Sequence, residues 1–165
     1  MKKVKIMIGF ITVLALVLSL CACGGQKEQE VENSALLAGL VIQSDGNEIT
    51  VAWDEIDRAP FEGDIANGKG EMTHRKYEGS ELRTLLEANG IEISEDSVIS
   101  ATGEDGYLAE LTGTEILEKG KVYVALSDNG AMIESIQGGQ GAQMIVFGDP
   151  NSKRGVKYLE IISVD

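Results

Sequence analysis

The chain reads as an α+β protein, predominantly β, forming a single compact domain with two or three short helices. Three observations predict this. Short apolar runs, several alternating with a period of two, recur from Gly39 to Val164. Turn-forming pairs separate them, among them Asp45-Gly46, Asn129-Gly130 and Asp149-Pro150. Clear helix start and stop signals are confined to two places, Ser80 to Gly90 and Thr112 to Gly120.

Taken in order, Gly39 to Gln43 is an apolar run, Asp45-Gly46 turns it, and Glu48 to Trp53 alternates as a strand, giving a first β-hairpin. Asp54 to Arg58 is expected to make one helical turn, with Trp53 and Ile56 facing inward. Pro60 to Glu71 is rich in Gly, Asp and Asn and is expected to be a long loop with little regular structure. Ser80 is placed as the N-cap of the first full helix. Leu82, Leu85 and Leu86 share its inner face, Glu81, Arg83 and Glu87 point outward, and Asn89-Gly90 ends it. Ile91 to Ile99 reads as strand, with a turn at Ser94-Glu95-Asp96, and Ala101 to Gly106 as loop. Tyr107 to Leu111 is a strand. Thr112 and Glu115 have capping-box spacing for a short helix running to about Lys119 and stopped by Gly120. Val122 to Leu126 and Gln143 to Phe147 are buried strands, and Val156 to Val164 is the last one.

The N-terminal segment has the order of a secretory signal: Lys2, Lys3 and Lys5, then an apolar run from Ile6 to Leu20, then small residues. Leu20-Cys21-Ala22-Cys23 resembles the lipobox of bacterial lipoproteins. That resemblance implies cleavage before Cys23 and a diacylglyceryl, palmitate-type anchor on its sulfur, holding the protein to the cell membrane on its extracytoplasmic face. The expected organisation is a signal peptide over 1–22, a polar flexible tether over 23–35 and a folded domain over 36–165.

Composition excludes several chemistries. The chain has two cysteines, Cys21 and Cys23, so the folded domain has no thiolate for a nucleophile, disulfide or zinc site. Of the 14 basic residues three lie in the leader, while all 27 acidic residues follow it, so residues 23–165 carry a formal charge of −16. Such a surface does not grip nucleic-acid phosphates. The single histidine, His74, reads as a strand surface residue, since one histidine supplies neither a metal cluster nor a triad with redundancy. Gly63 to Glu71 lacks the Gly-Lys-Ser/Thr ending of a phosphate loop. Asp128-Asn129-Gly130 and Asp149-Pro150-Asn151 read as turns rather than calcium loops.

From Tyr77 onward the motif order is more specific. Tyr77-x-Gly79-x-x-Leu82-x-x-Leu85-Leu86 leads into the helix and Asp105-Gly106-Tyr107 heads a strand. Asn129-Gly130 precedes a Gly-rich turn, Gly148 ends a strand, and Val156-Lys157-Tyr158-Leu159-x-x-Ile162 closes the pattern. Together these resemble the molybdopterin-binding domain of sulfite-oxidase-type oxidoreductases, well over about the last 90 residues and loosely over 38–76. The resemblance implies that fold and a pterin cleft near Asp105, Tyr107, Gln143, Arg154 and Lys157. It also implies a cysteine ligand to molybdenum and a Gly-Gly-Pro run with an arginine two residues later. Here the run is Gly139-Gln140-Gly141-Ala142-Gln143, and the folded part has no cysteine. The expectation is therefore a lipid-anchored, extracytoplasmic binding or accessory domain without molybdenum catalysis, taking a small ligand or an envelope protein as partner. Two alternatives stay open: a molybdopterin oxidoreductase with a non-cysteine ligand, and a structural or interaction module of the envelope.

Overall fold

The computed structural model describes residues 38–150 and 152–165, so the expected leader and the whole expected tether, Cys23 included, lie outside the described residues. Ten strands and two helices follow one another among the described residues. They are β1 (Gly39–Ser44), β2 (Asn47–Ala52), β3 (Ala59–Ala66), β4 (Met72–Glu81), α1 (Leu82–Ala88), β5 (Val98–Gly103), β6 (Leu108–Thr112), α2 (Gly113–Leu117), β7 (Val122–Asp128), β8 (Ala131–Met132), β9 (Gln143–Val146) and β10 (Leu159–Val164). The predominance of strand follows the expectation. The strands form two five-stranded sheets. One has the order β2-β1-β10-β5-β6; the other runs β3-β4-β7-β8, with β9 also paired to β7. The pairing of β1 with β10, Val41 opposite Ile161, is parallel, and the other ladders are antiparallel.

The sheets enclose one main core. Leu40 and Ile42 of β1, Ile99 of β5, Leu111 of β6 and Ile162 of β10 meet Val122, Val124 and Leu126 of β7 and Met144 of β9. Helix α1 adds Leu82, Leu85 and Leu86, one stripe at helical spacing. A second, smaller cluster gathers Tyr77, Ala125 and Ile145 with Phe61, Ile65, Tyr123, Ile133 and Phe147. Because side chains alternate along a strand, Tyr123 and Ala125 leave β7 on the face opposite Val122, Val124 and Leu126. The near-continuous apolar run of β7 thus fills two cores.

The stretch expected as a loop over Pro60 to Glu71 is instead largely strand β3, paired along its length with β4 from Ala59 opposite Gly79 to Ala66 opposite Met72. Its alternation was hidden by a small residue at an inward position. Phe61, Gly63 and Ile65 face the aromatic cluster, and a Cβ on Gly63 would lie 2.5 Å from Cε1 of Phe147. Phe61 stacks on Tyr123 at a centroid distance of 4.1 Å and on Tyr77 at 5.3 Å. Asn67 closes the hairpin, its Oδ1 accepting from the amides of Lys69 (2.8 Å) and Glu71 (3.0 Å).

Other boundaries differ for local reasons. Ser80 does not cap α1: it is a buried residue of β4 whose hydroxyl donates to the Glu81 carbonyl at 3.3 Å, and Glu81 occupies the cap position without a side-chain bond. Asp54 to Arg58 is a turn and not a helix, although Ile56 is buried as expected. Residues 91–97 form no strand, because Ser94 and Ser97 bond to each other's backbone and close a turn. Conversely, β5 reaches Gly103, so much of the loop expected over Ala101 to Gly106 is strand. The capping box at Thr112 is formed, with Glu115 N–H donating to Thr112 Oγ1 and Thr112 N–H donating to Glu115 Oε2. Helix α2 nevertheless ends at Leu117 rather than near Lys119. The last strand starts at Leu159 and not Val156, since Tyr158 at φ +53° interrupts the extended run.

At the junction of β4 and β7, the register shifts between Glu78 and Gly79. A Cβ on Gly79 would sit 2.0 Å from the Val124 carbonyl oxygen. Gly79→Ala is expected to lower stability by about 2 kcal/mol or more through overpacking, read as a lower denaturation midpoint in urea; an unchanged midpoint would mean the strands separate there at little cost.

Candidate functional site

The five residues placed near the cleft by motif order divide into two groups. Asp105 and Tyr107 belong to the turn between β5 and β6. Asp105 Oδ1 accepts from the Tyr107 amide at 3.0 Å, an Asx turn completed by Gly106 at φ +77°. The Tyr107 hydroxyl donates to the Lys153 carbonyl. Arg154 is held by acids: its Nε donates to Asp149 Oδ1 at 3.2 Å, its amide to Asp149 Oδ2 at 3.0 Å, and its Nη1 to Glu115 Oε1. These bonds to Glu115 and Asp149 hold the Arg154 guanidinium above its ordinary pKa, against the effect of burial. Arg154 therefore clamps the segment before β10 onto α2.

Burial pulls the Glu115 carboxyl upward, but the bonds from Arg154 and Thr112 and the charges of Arg154 and Lys121 outweigh it, leaving the pKa below the usual value. Glu115 thus serves two ends at once, the capping box with one oxygen and the Arg154 clamp with the other.

Gln143 and Lys157 form the second group. Both line an open cleft of about 510 Å³ bounded by Met132, Ile133, Glu134, Ser135 and Ile136 on one side and Tyr158 on the other. Both also line a smaller, more enclosed cavity of about 100 Å³ with Ile65, Met144, Ile145, Val146, Ser152 and Gly155. Neither side chain makes a hydrogen bond or ion pair to a described residue, and both reach the cleft from backbone that is fixed on each side. Met144 and Val156 exchange amide bonds at 2.8 and 3.2 Å, and Leu159 N–H donates to the Ala142 carbonyl at 2.8 Å.

The cleft's far wall is tied down by residues whose role motif order did not indicate. Glu104 Oε2 accepts from Ser135 Oγ at 2.9 Å and from the Ile136 amide at 3.2 Å. Gln140 Nε2 donates to the carbonyls of Leu126 (3.0 Å), Ile133 (3.3 Å) and Gly141 (2.6 Å), sealing the Gly-rich turn onto β7. Met132 and Ile136 are 51% and 53% exposed. Burial, and then the charge of Glu104, raises the Glu160 pKa. His74 lies on exposed β4, its Nδ1 3.0 Å from Asp64 Oδ1 and its Nε2 3.8 Å from Glu62 Oε2.

These residues do not fit a molybdopterin held through a thiolate. The chain's two cysteines precede the described residues, and no three His, Cys, Asp or Glu side chains gather for a metal among the described residues. Gln143 stands where the motif order implies an arginine. Lys157 is the basic side chain lining the cleft, and it shares that lining with Glu134.

No family model and no curated protein sequence matches the chain. Among solved structures it resembles the crystal structure of the sulfane dehydrogenase SoxCD from Paracoccus pantotrophus. The TM-score is 0.60 at 14% sequence identity, over 76% of this chain and 37% of that one. This chain therefore spans little more than a third of that protein's chain, and the likeness is one of fold.

Glu115→Ala removes the reciprocal half of the capping box and one of the two acids that hold Arg154, and is expected to cost about 1–2 kcal/mol at neutral pH. Because the folded-state pKa of Glu115 is depressed, its contribution is present above the ordinary carboxylate pKa of about 4.3 and is lost as pH falls through the lower folded value. Urea unfolding across that range should show the gap between wild type and variant closing in acid; a gap constant with pH would place the effect elsewhere. The likeness of fold to SoxCD supports the sulfite-oxidase-like architecture that the motif order implies.

Proposed function

We propose that this protein is a binding or accessory module that keeps a sulfite-oxidase-like scaffold and uses its cleft to hold a small ligand rather than molybdenum. One observation carries the reading. Gln143 and Lys157, two of the residues that the resemblance implies for a pterin cleft, line a cleft walled by Met132, Ile136 and Tyr158, with no thiolate among the described residues. Three arginines are engaged by other side chains: Arg154 by Glu115 and Asp149, Arg58 by Gln140 Oε1 at 3.2 Å, and Arg75 by Asp128 at 3.1 Å. A formal charge of −13 over the whole chain adds a further penalty for a multiply charged anion.

The lipobox-like Leu20-Cys21-Ala22-Cys23 supports a place on the extracytoplasmic face of the cell membrane, tethered through Cys23. A module so anchored is suited to presenting a ligand to a neighbouring envelope protein.

The reading is tested by producing the full chain in a host that makes the molybdenum cofactor and quantifying metal and released pterin. Substoichiometric traces of both are expected, with no near-ultraviolet to visible band beyond that of the protein. Molybdenum and pterin at one per chain would replace this reading with that of an oxidoreductase using a non-thiolate ligand. Cys23→Ala is expected to leave the precursor uncleaved and unlipidated by mass spectrometry; normal processing in that variant would move the anchor to another residue.

A further inference from the structure

We propose that the cleft at Gln143 and Lys157 binds a monocarboxylate carrying a short apolar group, the carboxylate at Lys157 and the apolar group in the small cavity beneath. This deepens the binding-module reading and rests on it.

The charge of the ligand follows from the local count. Lys157 has no partner among the described residues, whereas Arg58, Arg75, Arg83, Lys121 and Arg154 each have one. One uncommitted ammonium group on a cleft wall suits one negative charge. A divalent anion such as phosphate would meet the same ammonium together with the carboxylate of Glu134 in the lining. The carboxylate of Glu104 stands behind the same wall, bonded to Ser135 and Ile136. A single carboxylate uses the one ammonium group in a direct charge-assisted bond, and the lining offers no further cation for a second negative charge. A cation would be repelled by Lys157. Gln143, also without a partner, supplies an amide N–H to the second carboxylate oxygen.

The apolar half follows from the two cavities. Gln143 and Lys157 line both, so the polar pair borders the outer cleft and the more enclosed inner one alike. The inner one, at about 100 Å³, is walled by Ile65, Met144, Ile145 and Val146. That is room for about three water-sized groups, the scale of a branched alkyl end. Met132, Ile136 and Tyr158 flank the outer cleft with apolar surface that remains exposed, at 51%, 53% and 36%.

Backbone geometry adds an independent indication. Tyr158 holds φ +53°, a conformation that an ordinary residue keeps only where its surroundings fix it. The Tyr158 carbonyl accepts from the Glu104 amide at 2.8 Å, and the bonds of Val156 and Leu159 brace it on both sides. The strain keeps Lys157 and Tyr158 side by side on the cleft wall, where a regular strand would have sent them to opposite faces.

The test is calorimetric titration of the full chain with 4-methylpentanoate, its amide and inorganic phosphate, repeated on Lys157→Met. The acid is expected to bind saturably at one per chain. The amide should bind about tenfold more weakly or worse, as loss of a charge-assisted bond implies, and phosphate should not bind. Lys157→Met should weaken the acid by about the same factor and leave the amide unchanged. Because Lys157 is exposed, the variant should fold, which its circular dichroism and amide binding check together. A tetrapeptide ending in leucine with a free carboxylate distinguishes sources: tighter binding than 4-methylpentanoate assigns the site to peptide C-termini, and weaker binding to free acids. Equal affinity for acid and amide, no saturable binding of the acid, or an acid affinity indifferent to Lys157→Met overturns the inference. Any of those results in protein free of molybdenum leaves the binding-module reading standing, whereas stoichiometric molybdenum and pterin removes both.

Discussion

Strand β7 buries side chains on both faces, and the rest of the structure is arranged to cover them. One face sends Val122, Val124 and Leu126 into the main core, and the other sends Tyr123 and Ala125 into the aromatic cluster. Three strands pair with it, β4 on one edge and β8 and β9 on the other, so its backbone groups are used along most of its length. Covering its second face explains the β3–β4 hairpin, which stacks Phe61 between Tyr123 and Tyr77. Burial pushes the Tyr77 phenol up to about 12, with Asp128 adding to the effect and Arg75 opposing it, so this side chain stays neutral and acts as an apolar ring.

The same strand places the candidate cleft. Its partner β9 begins at Gln143, and the hairpin that follows it, through Asp128-Asn129-Gly130 to β8, carries Met132. The Gly-rich turn between β8 and β9 is held against β7 by Gln140, whose amide serves three carbonyls. Opposite, the Arg154 clamp and the braced Tyr158 set the position of Lys157. The cleft walls are thus held by hydrogen bonds within the chain itself.

Where a local rule and its tertiary setting agreed, the sequence was legible. The Asp45-Gly46 hairpin, the Leu82-Leu85-Leu86 stripe, the Asn89-Gly90 helix end and the Thr112–Glu115 capping box all rest on neighbours close in the chain. The errors arose where a distant contact decided. Gly63 reads as loop because glycine is rare in strands, yet it is the residue that admits the Phe147 ring, 84 positions later in the chain. Ser80 reads as a cap because a hydroxyl precedes a leucine stripe, but the ladder from β4 to β7 claims its backbone. In the candidate site, Gln143 and Lys157, singled out by motif order, line one open cleft. Motif order could not foresee that Arg154 would be engaged by Glu115, 39 positions earlier, or that Glu104 would anchor the cleft wall through Ser135.

A scaffold separated from its implied cofactor is the central claim, and the protein taken from its own cells tests it most directly. Native mass spectrometry of the full-length gene product, extracted gently from the envelope, weighs the polypeptide together with whatever it holds. The account predicts a lipidated chain starting at Cys23 with at most a small-acid adduct that disappears on mild activation. A stoichiometric additional mass equal to a pterin and its molybdenum, retained under native conditions, would contradict it.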